Sequence, residues 1–214
     1  MTENWIERWE NGRTGWHEPE GNAGLKVHWP GAGAGNRVLV PLCGKSPDLL
    51  WLAGCGHEVI GVELSEIAVR AFFEDNDLDY TSEPAGSLMT FRASQVPVTV
   101  YQGDYFELDI EPCDALYDRG ALVALPEAIR PDYVAHTNRL IRPDATILLV
   151  TLEYEQSVVS GPPFSVLADE VGRYWPALDR LEEKDDFETC PPEFREAGLE
   201  EVYEVVWRSP PSGP

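Results

Sequence analysis

The sequence predicts a single α/β domain built on a doubly wound, mostly parallel β-sheet. Five short, largely apolar segments are spaced along the chain as strands would be, and the first is rich in β-branched residues: 37–42, 57–62, 96–102, 113–117 and 145–152. Central parallel strands are buried on both faces and therefore appear as continuous apolar runs. Polar residues follow several of these segments directly. Because doubly wound sheets bind ligands at the carboxyl ends of their strands, we expect the functional site there.

Helical segments alternate with these strands. Ser65, with an acid in the following turn, is a typical N-cap, and Ser46 with Pro47 can start the helix after the first strand. Helices are predicted at 47–54, 65–76, 126–141 and 166–174, and a closing strand at 199–207. Residues 80–95 show no clear periodicity and are predicted to form an irregular surface excursion.

The N-terminal 30 residues are predicted to be helical and to precede the sheet. Large apolar residues recur at helical spacing in the first segment: Trp5, Ile6 and Trp9. Asn11-Gly12 breaks this pattern, and a second helix is expected over about 19–29. We expect one domain over residues 1–208 and a disordered Pro-rich tail over 209–214.

Composition excludes several classes of protein. Asp and Glu number 38 against 16 Lys and Arg, a net charge of −22, so the surface repels phosphate backbones and nucleic-acid binding is not expected. No segment approaches 18 uncharged apolar residues, and the N-terminus lacks the pattern of a signal peptide, so we expect a cytoplasmic protein without membrane attachment. The four cysteines are widely spaced, which indicates neither a metal site nor a disulfide framework.

The acidic, lysine-poor composition has two interpretations. It suits a high-salt cytosol, in which screening relieves the self-repulsion of the surface. It also suits an ordinary acidic cytoplasmic protein. Both interpretations remain open at this point.

The first two strands and the turn between them indicate a nucleoside site. Glu63 follows Leu42 by 21 residues, close to the spacing at which an α/β fold places a carboxylate on a ribose. The turn after the first strand lacks the glycines of G-x-G-x-x-G, and Leu39 stands where a P-loop needs its first glycine. A nucleoside without a phosphate cradle fits better, S-adenosylmethionine (SAM) being the common one. The alternatives are an NAD enzyme, disfavoured by the missing glycines, and a structural βαβ unit with an incidental acid.

Motifs along nearly the whole chain, from about residue 5 to 207, resemble those of the bacterial-type thiopurine S-methyltransferases. They are Trp9-Glu-Asn-Gly-Arg-Thr-Gly-Trp-His-Glu18, Val40-Pro-Leu-Cys-Gly-Lys45, Gly56-His-Glu-Val-Ile-Gly-Val-Glu-Leu-Ser-Glu66, Tyr117-Asp-Arg-Gly-Ala-Leu122 and Gly161-Pro-Pro-Phe164. The resemblance implies the class I SAM-dependent methyltransferase fold with an N-terminal helical lid, and SAM as cofactor with S-adenosylhomocysteine as product.

The resemblance also implies which residues bind the cofactor: Trp9, Leu42, Glu63, Asp104, Tyr105 and Arg119. Glu63 would hold the ribose, Leu42 would offer backbone beneath it, and Trp9 would cover the cofactor. Each of three residues also has a structural alternative. Trp9 could pack in the core against Trp5, Asp104 could cap a turn, and Arg119 could pair with Asp118.

On the acceptor side the resemblance implies Trp16, Pro163 and Arg195 as substrate-binding residues. Trp16 stands where the family often has Phe, which would narrow or flatten the pocket. Arg119 is the candidate catalytic residue, because a guanidinium could favour a thiolate electrostatically. His17 is a further candidate base, with a structural histidine as the alternative. Thiols are often ionised near neutral pH, so a general base need not exist.

The expected reaction is an in-line displacement in which a small thiol, such as a thiopurine or another aromatic or heterocyclic thiol, receives the SAM methyl group. The alternatives are methylation of selenium or tellurium compounds or of small aliphatic thiols in detoxification, and a non-catalytic SAM-binding protein. We expect a monomer that acts on a small-molecule thiol or chalcogen substrate without a metal.

Overall fold

The computed structural model describes residues 5–210. In chain order its helices and strands are α1 (Trp5–Glu10), α2 (Ala23–His28), β1 (Arg37–Val40), α3 (Asp48–Gly54), β2 (Glu58–Glu63), α4 (Glu66–Asp75), β3 (Tyr80–Ala85), β4 (Leu88–Ala93), β5 (Val98–Gln102), β6 (Cys113–Arg119), α5 (Arg130–Leu140), β7 (Ile141–Glu153), α6 (Ala168–Tyr174), β8 (Asp179–Asp185), α7 (Pro192–Glu196) and β9 (Tyr203–Arg208).

These strands form one sheet in the order β3-β4-β5-β2-β1-β6-β7-β9-β8. The inner strands β5, β2, β1, β6 and β7 are parallel, and the outer pairs on both sides are antiparallel. The chain proceeds from β1 outward through β2 to β5 and then crosses to β6 and β7. The crevice between β1 and β6 is therefore the topological switch point, where ligands bind in open α/β sheets. The predicted doubly wound fold is confirmed.

Apolar side chains cover both faces of the sheet. Helices α5 and α6 bury Tyr133, Leu140 and Val171 against one face. Helices α2, α3 and α4 cover the other with a second set of fully buried or nearly buried residues: Leu25, Leu49, Leu52, Val69, Phe72 and Phe73. This two-sided burial explains why the inner strands are apolar throughout.

All five predicted inner strands are present, with ends shifted by up to four residues. Ser65 caps α4 as expected, since its hydroxyl accepts from Ala68 N at 3.4 Å. Two helices begin about four residues later than predicted: α2 begins at Ala23, and α5 begins at Arg130 because the preceding residues form a turn that ends in the Ile129 N–H to Pro126 O bond.

The prediction for residues 80–95 is wrong. They form the β3–β4 hairpin, with Gly86 in the left-handed region at its turn. β3 is an edge strand that is largely exposed and contains Pro84, so it has no apolar alternation to signal a strand. The strand β8 was not predicted for a similar reason. Its sequence is almost entirely charged, which suits an edge strand that must not pair with another molecule.

The C-terminal end is ordered at least as far as Ser209. Its N–H donates to Ile147 O at 3.0 Å, and its hydroxyl accepts from Ile147 N at 3.0 Å. Most of the tail predicted at 209–214 lies outside the described residues. Between residues 5 and 210, no helix has the length and apolarity needed to cross a bilayer.

Candidate active site

The turn after β1 lies at the carboxyl edge of the sheet and is bound to β2. The Cys43 N–H donates to Val62 O at 2.9 Å. Leu42 has a φ of 47°, an uncommon and strained conformation for a side chain of this size. Gly61 lies below the turn, and a Cβ there would come within 2.9 Å of Cys43 Sγ. The turn thus packs directly on β2 and presents its backbone to the crevice.

Glu63 ends β2 and is 6% exposed. Its Oε2 accepts from Gly44 N at 2.9 Å, and its Oε1 accepts from Ser65 N at 2.8 Å. Burial raises the pKa of this carboxyl, and the Ser65 and Gly44 N–H groups oppose that rise. Each carboxylate oxygen has more than one lone pair, so Glu63 can still accept from two ribose hydroxyls. The residues present therefore fit a nucleoside.

Trp9 covers the same turn. It is 8% exposed, and its Cζ2 would lie 3.3 Å from a Cβ built on Gly44. Its ring meets the Trp16 ring edge-on at 5.8 Å, and Trp16 meets Trp5 at 5.2 Å. The three indoles form one cluster with Trp16 at its centre. Trp9 is thus a buried packing residue, and its ring also covers the Gly44 turn beside Glu63.

Arg119 ends β6, the strand next to β1. Its Nη1 donates to Trp16 O at 2.8 Å, and its Nη2 forms an ion pair with Glu18. The alternative of a pair with Asp118 is wrong. Arg119 instead joins the carboxyl edge of the sheet to the segment that links α1 and α2.

Asp118 points to the opposite face of the sheet and is fully buried. Its Oδ2 accepts from the Tyr133 hydroxyl at 2.7 Å, and its Oδ1 accepts from Ala121 N and Leu122 N at 3.2 and 3.1 Å. Burial raises the pKa of Asp118 to about 6, although these donors oppose the rise. Asp118 thereby fixes the turn that begins at Arg119.

Asp104 and Tyr105 follow β5 on the other side of the crevice. Asp104 caps its turn by accepting from Phe106 N at 3.0 Å. The Tyr105 hydroxyl lies 2.9 Å from Thr137 Oγ1, and burial raises its pKa. The Tyr105 side chain therefore faces the core, and an adenine contact by this pair would use main-chain atoms or the exposed Asp104. The preceding Gly103 N–H donates to Glu63 O at 2.9 Å, which keeps this turn beside Glu63.

The Pro163 loop is held in place by hydrogen bonds to three elements. The Tyr154 hydroxyl donates to Pro163 O at 2.6 Å, and Phe164 N donates to Val123 O at 2.6 Å. Arg130, 2% exposed, donates to Ser165 O at 3.2 Å and to Glu170 Oε2 at 2.7 Å. Sequence reasoning did not find Arg130 or Glu170, because a buried ion pair between distant positions leaves no local pattern.

Arg195 lies on α7, in the connection between β8 and β9. This connection is at the carboxyl end of β7, because Glu153 and Asp185 both pair with Tyr203. The Arg195 guanidinium is half-exposed, and its described contacts are with Glu188: 3.4 Å to the carbonyl and 3.6 Å to the carboxylate. Arg195 therefore lies at the carboxyl edge of the sheet, and it has no described contact with Trp16 or Pro163.

A polar network that was not predicted anchors the segment between α1 and α2. Asp48, 2% exposed, accepts from Asn22 N at 2.9 Å and from the Tyr117 hydroxyl at 2.8 Å. The Asn22 amide donates to Glu18 at 3.4 Å and to Glu204 at 3.2 Å. No local sequence pattern indicates this network, because Asp48 is simply the acid in the first turn of α3.

His17 belongs to the same segment and is half-buried. Burial lowers its pKa, and the positive charges of Lys45 and Arg119 lower it further. The charges of Asp75 and Glu18 oppose this lowering in part. Among residues 5–210, no group of three or more His, Cys, Asp and Glu side chains is arranged to hold a metal ion.

Structural comparison agrees with this geometry. The 1,6-didemethyltoxoflavin-N1-methyltransferase of Burkholderia thailandensis, solved with S-adenosylhomocysteine, aligns at a TM-score of 0.63 and 18% identity over 96% of this chain and 85% of that one. A TehB-like SAM-dependent methyltransferase from Corynebacterium glutamicum aligns at 0.54 and 16% over 96% of both chains. The fold is thus that of the class I SAM-dependent methyltransferases.

Sequence comparison identifies the family. The model of the family Thiopurine S-methyltransferase (TPMT) matches residues 1–210. A thiopurine S-methyltransferase of Pseudomonas fluorescens is 45% identical over 211 residues, covering 95% of this chain and 96% of that protein. One from Bordetella petrii is 41% identical over 211 residues, covering 95% of each. The chain belongs to the thiopurine S-methyltransferase family, which confirms the resemblance seen in its motifs.

Proposed function

We propose that the protein transfers a methyl group from SAM to the sulfur of a small aromatic or heterocyclic thiol, such as a thiopurine. The observation that carries this proposal is the pairing of Glu63 with Gly44 and Ser65 at the switch point of a methyltransferase fold. This pairing supports a nucleoside site, and family membership supports methyl transfer to a thiol.

In this proposal the chain binds SAM along the carboxyl edge of β1, β2 and β5. Glu63 accepts hydrogen bonds from the ribose, and Leu42 offers backbone beneath it. Asp104 and the Tyr105 main chain border the adenine. Trp9 lies over the turn, where its indole face can attract the sulfonium charge. SAM, when bound, supplies the electrophilic methyl group.

The residues on the acceptor side orient the thiol and exclude water. We assign Trp16 and Pro163 to the acceptor pocket, and the main chain of each is held by a hydrogen bond, Trp16 by Arg119 and Pro163 by Tyr154. Alignment of two reactants in a closed site can supply a large part of the barrier reduction. The lowered pKa of His17 makes its imidazole a weaker proton acceptor than that of a free histidine. Because aromatic and heterocyclic thiols are already ionised near neutral pH, the proposal requires no general base.

Arg119 is the catalytic candidate that the structure constrains most. Its guanidinium already bonds Trp16 O and Glu18. We therefore propose that Arg119 acts mainly by holding Trp16 and the segment around it over the site. Direct stabilisation of a thiolate would require that Glu18 release part of the guanidinium.

A panel of thiols with methyl-labelled SAM tests the proposal. Aromatic and heterocyclic thiols should accept label, and small aliphatic thiols should accept it more slowly. Tight SAM binding without label transfer to any thiol would contradict an enzymatic role. Preferential production of volatile methylated selenide by expressing cells would favour the chalcogen alternative. The net charge of −22 supports a small-molecule acceptor over a nucleic acid.

A further inference from the structure

The positive charge of Arg119 is balanced by an acidic side chain of the protein itself. Glu18 forms an ion pair with its Nη2, and the same Glu18 carboxylate accepts from the Asn22 amide at 3.4 Å through its other oxygen. Glu18 therefore has two donors that fix it beside the guanidinium. An arginine engaged in this way offers little net positive charge to an anionic ligand.

Glu204 and Asp48 are further acidic groups that act on Arg119, and Lys184 lies opposite Glu204 in the β8–β9 pair. Glu204, on β9, bonds the same Asn22 amide at 3.2 Å, and Asp48 is buried beneath it. Burial raises the pKa of Glu204 and the Glu18 charge raises it further, whereas Arg119 and Lys184 lower it. The nearby Lys45 is paired with Asp75 at 2.6 Å.

We infer that the acceptor carries no negative charge other than its sulfur, and that Glu18 is the residue that rejects thiols bearing a carboxylate. This inference rests on the proposed function. In the proposed reaction the thiolate would meet the sulfonium beside Glu63, and an acceptor held against Trp16 would present its far end to Glu18, which is joined to the Trp16 main chain through Arg119. A carboxylate at that end would lose its water and meet like charge, and a neutral group of the same shape would not.

Two isosteric substrates test the inference: 4-mercaptobenzamide and 4-mercaptobenzoate. At about pH 8 both aryl thiols are ionised, so the pair differs chiefly in the charge of the para group. For the unmodified protein we expect kcat/KM for the amide to exceed that for the carboxylate by about tenfold or more, a size typical of one unfavourable charge contact at intermediate dielectric. The difference should reside mainly in KM.

Glu18→Gln removes the negative charge and keeps a side-chain oxygen for Arg119. In this variant the preference for the amide should shrink by about tenfold, because the guanidinium charge is no longer neutralised and can attract the substrate carboxylate. Glu20→Gln is the matched control. It makes the same charge change two residues away, on an exposed side chain that forms no hydrogen bond within residues 5–210. Its preference should equal that of the unmodified protein.

Glu204→Gln provides a second variant if Glu18→Gln folds poorly, as judged by thermal melting. It should shrink the preference in the same direction. An unmodified protein that methylates the carboxylate as well as the amide would overturn the inference. So would a Glu18→Gln variant that changes both substrates equally. Failure to methylate either thiol, or any other thiol, would overturn the proposed function itself.

Discussion

Asp118 should make the protein less stable as the pH rises from 4.5 to 7. The pKa of this buried carboxyl is about 6 in the folded protein, against an ordinary value of 3.8. The folded state binds the Asp118 proton more tightly than the unfolded state does. The Asp118 carboxyl therefore contributes its full stabilisation at pH values below the unfolded pKa. That contribution is lost as the pH rises through the folded pKa and is then constant.

The size of the effect follows from the two pKa values. A difference of about two units, at 1.36 kcal/mol per unit, gives a total of about 3 kcal/mol. About 2 kcal/mol of this falls between pH 4.5 and pH 7, because the unfolded state is already partly ionised at the lower pH.

Asp118→Asn isolates this titration from those of all other acids. The amide fits the site, because its oxygen can accept from Ala121 N and Leu122 N while its NH₂ donates to Tyr133. The free energy of unfolding is measured with urea for both proteins across this pH range. The variant should gain about 2 kcal/mol relative to the unmodified protein between pH 4.5 and pH 7. A difference that does not change with pH would refute the pKa and the burial argument behind it.

Two further predictions concern the N-terminal region and the surface charge. Deletion of residues 1–10 should reduce methyl transfer more than it reduces the melting temperature, because in the proposed function Trp9 covers the bound cofactor. Ile6→Ala, at a 44% exposed position, should change neither quantity much. If the truncated protein turns over thiols as fast as the full chain, Trp9 serves only in packing. The melting temperature should rise from dilute buffer to about 1 M sodium chloride, where the Debye length is about 3 Å, and a flat or falling value would mean that local pairing already balances the acids.

The inner sheet could be predicted because burial on both faces leaves a continuous apolar signal in each strand. The positions of Leu42 and Glu63 were predictable for a related reason: each lies at the carboxyl end of such a strand. The edge strands β3 and β8 could not be recognised in this way. Their side chains face solvent, and their order comes from backbone pairing with β4 and β9, which sequence periodicity does not record.

The environment of Arg119 shows a second limit. The sequence placed this residue at the carboxyl edge of the sheet, but its partner, Glu18, is 101 residues away in the chain. Asp118, adjacent in sequence, points to the opposite face, because side chains alternate along a strand. Pairing at a site of this kind depends on which distant loop crosses the strand ends, and no local pattern predicts that.

The most direct test of the central claim is the affinity for SAM of the Glu63→Ala variant, measured by calorimetry. Loss of charge-assisted hydrogen bonds worth about 1.5–3 kcal/mol should weaken binding by roughly 10- to 150-fold. Glu66→Ala, on the exposed face of α4, is the matched control and should bind SAM normally. Thermal melting of both variants shows whether loss of the Glu63 contacts to Gly44 and Ser65 has destabilised the fold. A folded Glu63→Ala protein that binds SAM as tightly as the unmodified one would remove Glu63 from the site and contradict the nucleoside interpretation.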